Sequence, residues 1–557
     1  MRKHTIGFLV GAALTALPVV ASAAAGDTLA AGDPANLFDL TDYVSTDTSL
    51  ITAIRFLPDG RMLIAQKVGA LKIRENDGSI RQLYSFPVTT TSEQGFIGLA
   101  VQPDFATSRR IIVYWTRTDA AGGSVENRIN VSSFRLNDAD DTVDPASERV
   151  LIRDITAPAN HDGGGLSFGS DGFLYVGVGD NGCNENIPAT RLHRNLRSTS
   201  FNVANGKILR VALDGAIPPS NPWVATTGSV SGKPFSSGVC EVVNGVTTMP
   251  TTTEPVRKDI FAMGFRNPFR IWTDPKTNFV WVGDVGETSF EEIDVVTRPG
   301  QHFGWPFIEG EVAGGAGPWT AAKCTELTPN PGGCVEPAHA YGHLPANANG
   351  SVTGGRIVDS CRFPPAWRGK YFFADYLSRE VYSMGVTPGR DGLVAGSREV
   401  FLTLDGAAGQ GPTDMLEGPD GALYVVLYAS APTVSRVVRV YPKTPAPASD
   451  CVVPGADAGA DGGVDAGPDG GRLDGGSDGG VVDSGAGADG GCCDGGSGPG
   501  PLADAGGADA GQAAAKDTSG CGCETVGAPA LGARAAVAAF GLGALFSAAV
   551  VRRRRRR

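Results

Sequence analysis

The chain has 557 residues and a formal net charge of −12, with 59 acidic against 47 basic side chains. An acid-rich chain whose basic residues do not gather on its long central region excludes nucleic acid as a partner. Ten cysteines without a CxxC pair or Cys/His cluster in that region exclude a zinc module and favour disulfides.

The chain starts with Arg2 and Lys3, an apolar run from Ile6 to Val20 and the triplet Ala21-Ser22-Ala23. Charged start, apolar run and small residues are the three parts of a signal peptide, so residues 1–23 are expected to direct export.

A turn feeding an apolar strand then recurs six times. It reads LPDGRMLI from Leu57, QPDFATSRRIIVYW from Gln102, GSDGFLYVGVGD from Gly169, DPKTNFVWVGD from Asp274, WRGKYFFADY from Trp367 and GPDGALYVV from Gly418. Asp-Gly accepts the positive φ of a tight turn, and the run after it suits an inner strand packed between neighbours. Six units predict an all-β, six-bladed β-propeller over residues 38–445. The segments Pro218 to Val256 and Gly310 to Pro337 are expected to be loops. The absence of long helical periodicity excludes a doubly wound α/β enzyme. Of Cys183, Cys240, Cys324, Cys334, Cys361 and Cys451, the pair Cys324 and Cys334 is expected to bond first, because it closes a short Pro/Gly loop.

From Pro454 to Gly520 the chain is built of Asp, Gly and Ala, which cannot bury enough apolar surface to offset ordering, so a disordered spacer is expected. After Cys521 and Cys523 comes an uncharged run from Ala535 to Val551 and then Arg552 to Arg557. Apolar length followed by a basic flank predicts a transmembrane helix with its arginines cytoplasmic. The tail resembles the MYXO-CTERM surface-sorting type, which implies anchoring at the cell surface or outer envelope, with processing at the cysteines.

Chemistry concentrates between these ends. Asn160-His161-Asp162-Gly163-Gly164-Gly165 places an imidazole, the usual base near neutral pH, on a turn without bulk. It is followed in order by Gly179-Asp180-Asn181-Gly182, Gly206-Lys207-Ile208-Leu209-Arg210, Gly264-Phe265-Arg266-Asn267-Pro268, Gly283-Asp284-Val285-Gly286-Glu287 and Gly304-Trp305-Pro306. From Glu93 through Trp305, and more loosely to Val440, this series resembles the soluble glucose/sorbosone dehydrogenases.

The resemblance implies an oxidoreductase that oxidises the anomeric carbon of an aldose with pyrroloquinoline quinone and calcium, passing electrons to an external acceptor. It implies His161 as the base and Arg266 as the stabiliser of charge on the reduced quinone, with Asn267 and Asn160 beside it. Glu93 stands where glucose-oxidising members carry a cofactor-contacting Gln, and the carbonyls of Gly286 and Glu287 match the calcium position. Glu291, Glu292 and Asp294 either support that metal loop or form a solvated strand edge.

The family also places a lysine and an R-x-R-D stretch on the quinone carboxylates. This sequence reads Gly411-Pro412-Thr413-Asp414 there, with Lys370 or Arg379 as substitutes. The loss favours an alternative, a non-catalytic surface propeller that binds carbohydrate or a protein partner. A hydrolase has no support: no G-x-S-x-G elbow is present, and His302, His339 and His343 are expected to be ordinary surface residues in loops.

Overall fold

In the strand Arg110–Arg117, RIIVYWTR, every residue is buried, and successive side chains leave opposite faces. Ile112 and Tyr114 join one apolar cluster, while Ile111, Val113 and Trp115 join another. A strand covered on both faces needs a near-continuous apolar run. The same pattern makes Leu174–Val178, Val280–Asp284, Tyr371–Asp375 and Leu423–Tyr428 buried throughout.

The computed structural model describes residues 26–445, apart from 46–47, 158, 183–195, 228–254, 311, 314–333 and 344–349. These residues form six antiparallel blades. Blade 1 runs from Ile51–Phe56 to Ile80–Ser85, blade 2 from Phe96–Val101 to Val143–Ile155 and blade 3 from Leu166–Phe168 to Ile260–Met263. Blade 4 runs from Pro268–Thr273 to His339–Gly342, blade 5 from Val352–Ile357 to Glu399–Thr403, and blade 6 from Gly411–Glu417 to Arg436–Pro442. The first strand of each blade touches that of the next, and blade 6 returns to blade 1, so the ring is closed around an axis. Six apolar clusters fill the six spaces between blades.

The chain start completes the ring. Phe38–Val44 forms the outer strand of blade 6, with Leu40 opposite Val440, and Thr28–Leu29 adds an outer strand to blade 5. Arg436 fastens this closure, with Nη1 at 2.8 Å from Asp27 and 2.9 Å from Asp42.

Each recurring turn lies between the first and second strands of its blade. The apolar run after it is therefore the second strand, and the innermost strand precedes the turn. Helices among the described residues are short, such as Asp33–Leu37 and Phe105–Ser108, and no helix there is long and apolar enough to cross a membrane. Residues 1–23, the tract 454–520 and the tail 521–557 lie outside the described residues. So do most of the two expected loops and Cys183, Cys240, Cys324 and Cys451. Cys334 and Cys361 each take part in a disulfide.

Candidate active site at the upper end of the axis

The upper end is where the last strand of one blade passes to the first strand of the next. The expected site residues all lie there. His161 follows the last strand of blade 2, Arg266 and Asn267 join blade 3 to blade 4, Glu93 precedes blade 2, and Gly286 and Glu287 follow the second strand of blade 4.

His161 has φ 55°, a left-handed conformation that a non-glycine residue adopts at a cost of about 1 kcal/mol. Its Nδ1 lies 2.7 Å from Asp180 Oδ1, and Asp180 Oδ2 accepts the Trp305 Nε1–H at 2.7 Å. Burial opposes ionisation of Asp180, but the His161 ring, the Arg266 charge and the Gly182 N–H outweigh it and hold its carboxyl below the usual range. A carboxylate there fixes the imidazole with Nδ1–H toward Asp180, which leaves the Nε2 lone pair to receive a proton.

The glycines around His161 serve close backbone packing. A Cβ on Gly179 would lie 2.0 Å from the His161 carbonyl oxygen, and one on Gly163, at φ 72°, would lie 2.6 Å from the Gly177 carbonyl oxygen. The turn is thus pinned to the second strand of blade 3, which holds the imidazole in place.

Arg266 is buried beneath Trp305, with its guanidinium 5.6 Å from the ring centre. Its Nη1 donates to the Val285 carbonyl at 2.8 Å, while its Nε has no partner. Asp284 receives the backbone N–H of Arg266 at 2.9 Å and of Asn267 at 2.6 Å. The Asn267 Oδ1 accepts from Gly163 N at 3.1 Å and its Nδ2 donates to Glu93 at 3.4 Å. Glu93 also accepts from Asp162 N at 3.1 Å, and Asn160 accepts from Ser92 at 2.6 Å.

The turn after Gly286 is organised by a residue the sequence reading did not single out. The backbone N–H groups of Glu287, Thr288, Ser289 and Phe290 converge on one oxygen of Glu309, at 2.7, 2.8, 2.9 and 3.2 Å. Glu291, Glu292 and Asp294 are not a solvated edge, since all three are buried. Glu291 accepts from Gly286 N at 3.3 Å and from Val352 N at 2.9 Å, and meets His343 at 2.8 Å. Asp284, Glu292 and Asp294 bring their oxygens within 4.8 Å of one another, and burial raises the affinity of each for a proton.

The histidines expected on the surface are elsewhere. His302 is fully buried, His339 lies in a strand, and His343 is paired with Glu291. Lys370 is at the opposite end of strand Tyr371–Asp375 from the site, paired with Glu399 over the Trp367 ring. Arg379 follows the upper end of that strand and makes no ion pair among the described residues. At Gly411 a Cβ would lie 2.1 Å from the Tyr376 carbonyl oxygen, and the Thr413 hydroxyl is turned to the Ile51 carbonyl at 3.0 Å. Tyr376 therefore packs directly on Gly411, and neither position presents a charged side chain.

Missed in the sequence as site residues were Asp180 and Trp305, although both stand in the motif series. Asn181 was missed too: it is buried at φ 72° beside Asp180, with neither side-chain polar atom partnered.

The chain is similar to the aldose sugar dehydrogenase YliI of Escherichia coli, 26% identical over 69% of this chain and 89% of that one. It is 23% identical to the quinoprotein glucose dehydrogenase B of Acinetobacter calcoaceticus over 46% of this chain and half of that one. The solved apo-form of the soluble aldose sugar dehydrogenase of Escherichia coli shares the fold, with a TM-score of 0.54 at 24% identity over 73% of this chain and 100% of that one. The family model described as Glucose / Sorbosone dehydrogenase matches residues 50–254 and 247–434, and the chain belongs to that family.

Proposed function

We propose that the protein oxidises the anomeric carbon of an aldose, with pyrroloquinoline quinone and calcium held at the upper end of the axis. The observation that carries the reading is the chain Trp305–Asp180–His161 beside a buried Arg266 whose Nε has no partner. A positive group left unsatisfied by the protein is one that an anionic or carbonyl-bearing ligand satisfies. The orphaned side chain of Asn181 points the same way. Hard oxygen ligands suit calcium, and the carbonyls of Gly286 and Glu287 would supply them.

When bound, the quinone supplies a two-electron acceptor that an external electron acceptor then reoxidises. His161 removes the proton of the anomeric hydroxyl at Nε2, and Asp180 stabilises the imidazolium that forms. Arg266 holds negative charge next to its guanidinium, in a site where preorganised charge acts without reorganisation. Glu309 fixes the turn at Glu287, so the metal-holding carbonyls keep one orientation.

The uncharged Gly411 and Thr413, packed against Tyr376 and Ile51, favour a second reading, a propeller that binds carbohydrate or a protein partner at this face without turnover. Export and retention at the cell surface belong to the same proposal and rest on residues 1–23 and 521–557.

The test titrates the full-length protein with pyrroloquinoline quinone and calcium by absorbance, then assays dye reduction with an aldose panel. Binding with sugar-dependent reduction that vanishes in His161→Ala supports the dehydrogenase. Quinone that does not bind at about micromolar concentration overturns it and leaves the binding module.

A further inference from the structure

The lower half of the axis holds a cavity of about 420 Å³, lined by the first strands of all six blades. That volume lies within the range of about 300–1,000 Å³ usual for small-molecule sites. A guanidinium separates it from the His161 turn. Arg270 reaches from blade 4 across the axis, and its Nη2 donates to the carbonyls of Thr52 at 2.7 Å and Ile97 at 3.0 Å, in blades 1 and 2. Gly164 packs against the upper side of this plug, where a Cβ would lie 3.3 Å from the Arg270 Nη1.

Below the plug the charge is unbalanced. Arg55, Arg270 and Arg356 line the cavity with two carboxylates, Asp414 and Glu417. Asp414 is already engaged, by Arg55 at 2.6 Å, by Ile54 N at 3.0 Å and by Arg270 Nε at 3.9 Å. The side chain of Arg356 makes no hydrogen bond or ion pair among the described residues, its Nε is buried without a partner, and its guanidinium lies 5.5 Å from the Trp272 ring centre. Burial opposes charge on both partners, raising the Glu417 carboxyl's affinity for a proton and lowering that of the Arg356 guanidinium.

A desolvated guanidinium with free donors facing a cavity is the chemistry that recognises carboxylate and phosphate in a two-pronged contact. Phe56, Phe168 and Trp272 give the same cavity apolar faces. We propose that the lower axial cavity binds a small organic oxyanion, a carboxylate or phosphate of up to monosaccharide size, held by the Arg356 fork with Arg55 beside it. The site is independent of the upper one and of the reaction proposed there.

The test is calorimetric titration of the full-length protein with gluconate, sorbitol 6-phosphate and inorganic phosphate, using sorbitol, which has no anomeric carbon for the upper site, as the neutral control. The anions bind and sorbitol does not; affinity falls with added salt, as expected for a charge contact. A stronger response to gluconate identifies a carboxylate ligand, and a stronger response to either phosphate compound a phosphate one. Arg356→Gln weakens binding at least about tenfold, while Arg356→Lys, which keeps the charge but loses the fork, falls between. His161→Ala leaves it unchanged. Absence of anion binding up to about 10 mM overturns the proposal. So does binding of sorbitol as strong as that of the anions, affinity unchanged in both Arg356 variants, or loss of affinity in His161→Ala.

Discussion

Asp180 shows what a single buried carboxylate does at this site. Asp180→Asn replaces a carboxylate that meets His161, Trp305 and the Gly182 N–H with an amide that cannot hold the imidazole in the same tautomer. Sugar-dependent dye reduction is expected to fall by about 10²–10⁴-fold with quinone affinity little changed, as steady-state kinetics and absorbance titration would show. His302 acts on stability. Burial, with the nearby Lys207 charge, pushes it down to about 3 from an ordinary 6.5. It is neutral in the fold and protonated in the unfolded chain between those values. Its contribution is complete above about pH 6.5 and is lost, by about 1.4 kcal/mol per pH unit, as pH falls toward 3. His302→Gln keeps an acceptor for the Gly304 N–H and should show a flatter dependence in denaturant melts between pH 4 and 7. Sequence marked His161, Arg266 and Asn267 because they stand in an ordered motif series. It could not mark Asp180 as their partner, since Asp on a Gly-rich turn reads equally as turn chemistry until distance is known. Nor could it place His302, whose Gln-His-Phe-Gly context resembles a loop although the segment bridges Met263 and Cys334 in the interior.

At the scale of the element, strands were legible and turns with long-range partners were not. Asp-Gly followed by an apolar run marks the second strand of blades 1, 3 and 6, and other short polar turns precede it in blades 2, 4 and 5, because both features are local. The innermost strands carry glycines and charged residues facing the axis, such as Arg270 and Gly354, and lack that signature. The turn from Glu287 to Phe290 depends on Glu309, a later residue whose role no local pattern reveals. Glu309→Gln keeps an oxygen but removes the charge that four N–H groups share. It is expected to lower stability by about 1–3 kcal/mol in chemical denaturation and to weaken calcium binding in a competition titration. Unchanged calcium affinity would detach the turn from the metal.

For the whole molecule, six similar units predicted six blades because each must bury two faces, and a ring lets every blade do so. The closure is invisible locally, since Phe38–Val44 reads as one more strand and its partner stands at Arg436–Pro442. Arg436→Ala leaves Asp27 and Asp42 without their cation in a mostly buried setting, a loss of about 3 kcal/mol expected in thermal or denaturant unfolding. Because the blades share their clusters pairwise around the ring, the loss should appear in one cooperative transition.

The pairing of Leu40 with Val440 has a consequence for biogenesis. In vectorial synthesis the strand Phe38–Val44 emerges long before its partner Arg436–Pro442, so its edge waits unpaired while the blades between them are made. Contacts of such sequence separation slow folding, and an apolar strand left open invites pairing with other chains. Asp39 and Asp42 on the waiting strand put charge where a foreign strand would dock. The protein thus carries its own safeguard against misassembly at the position where its ring is last to shut.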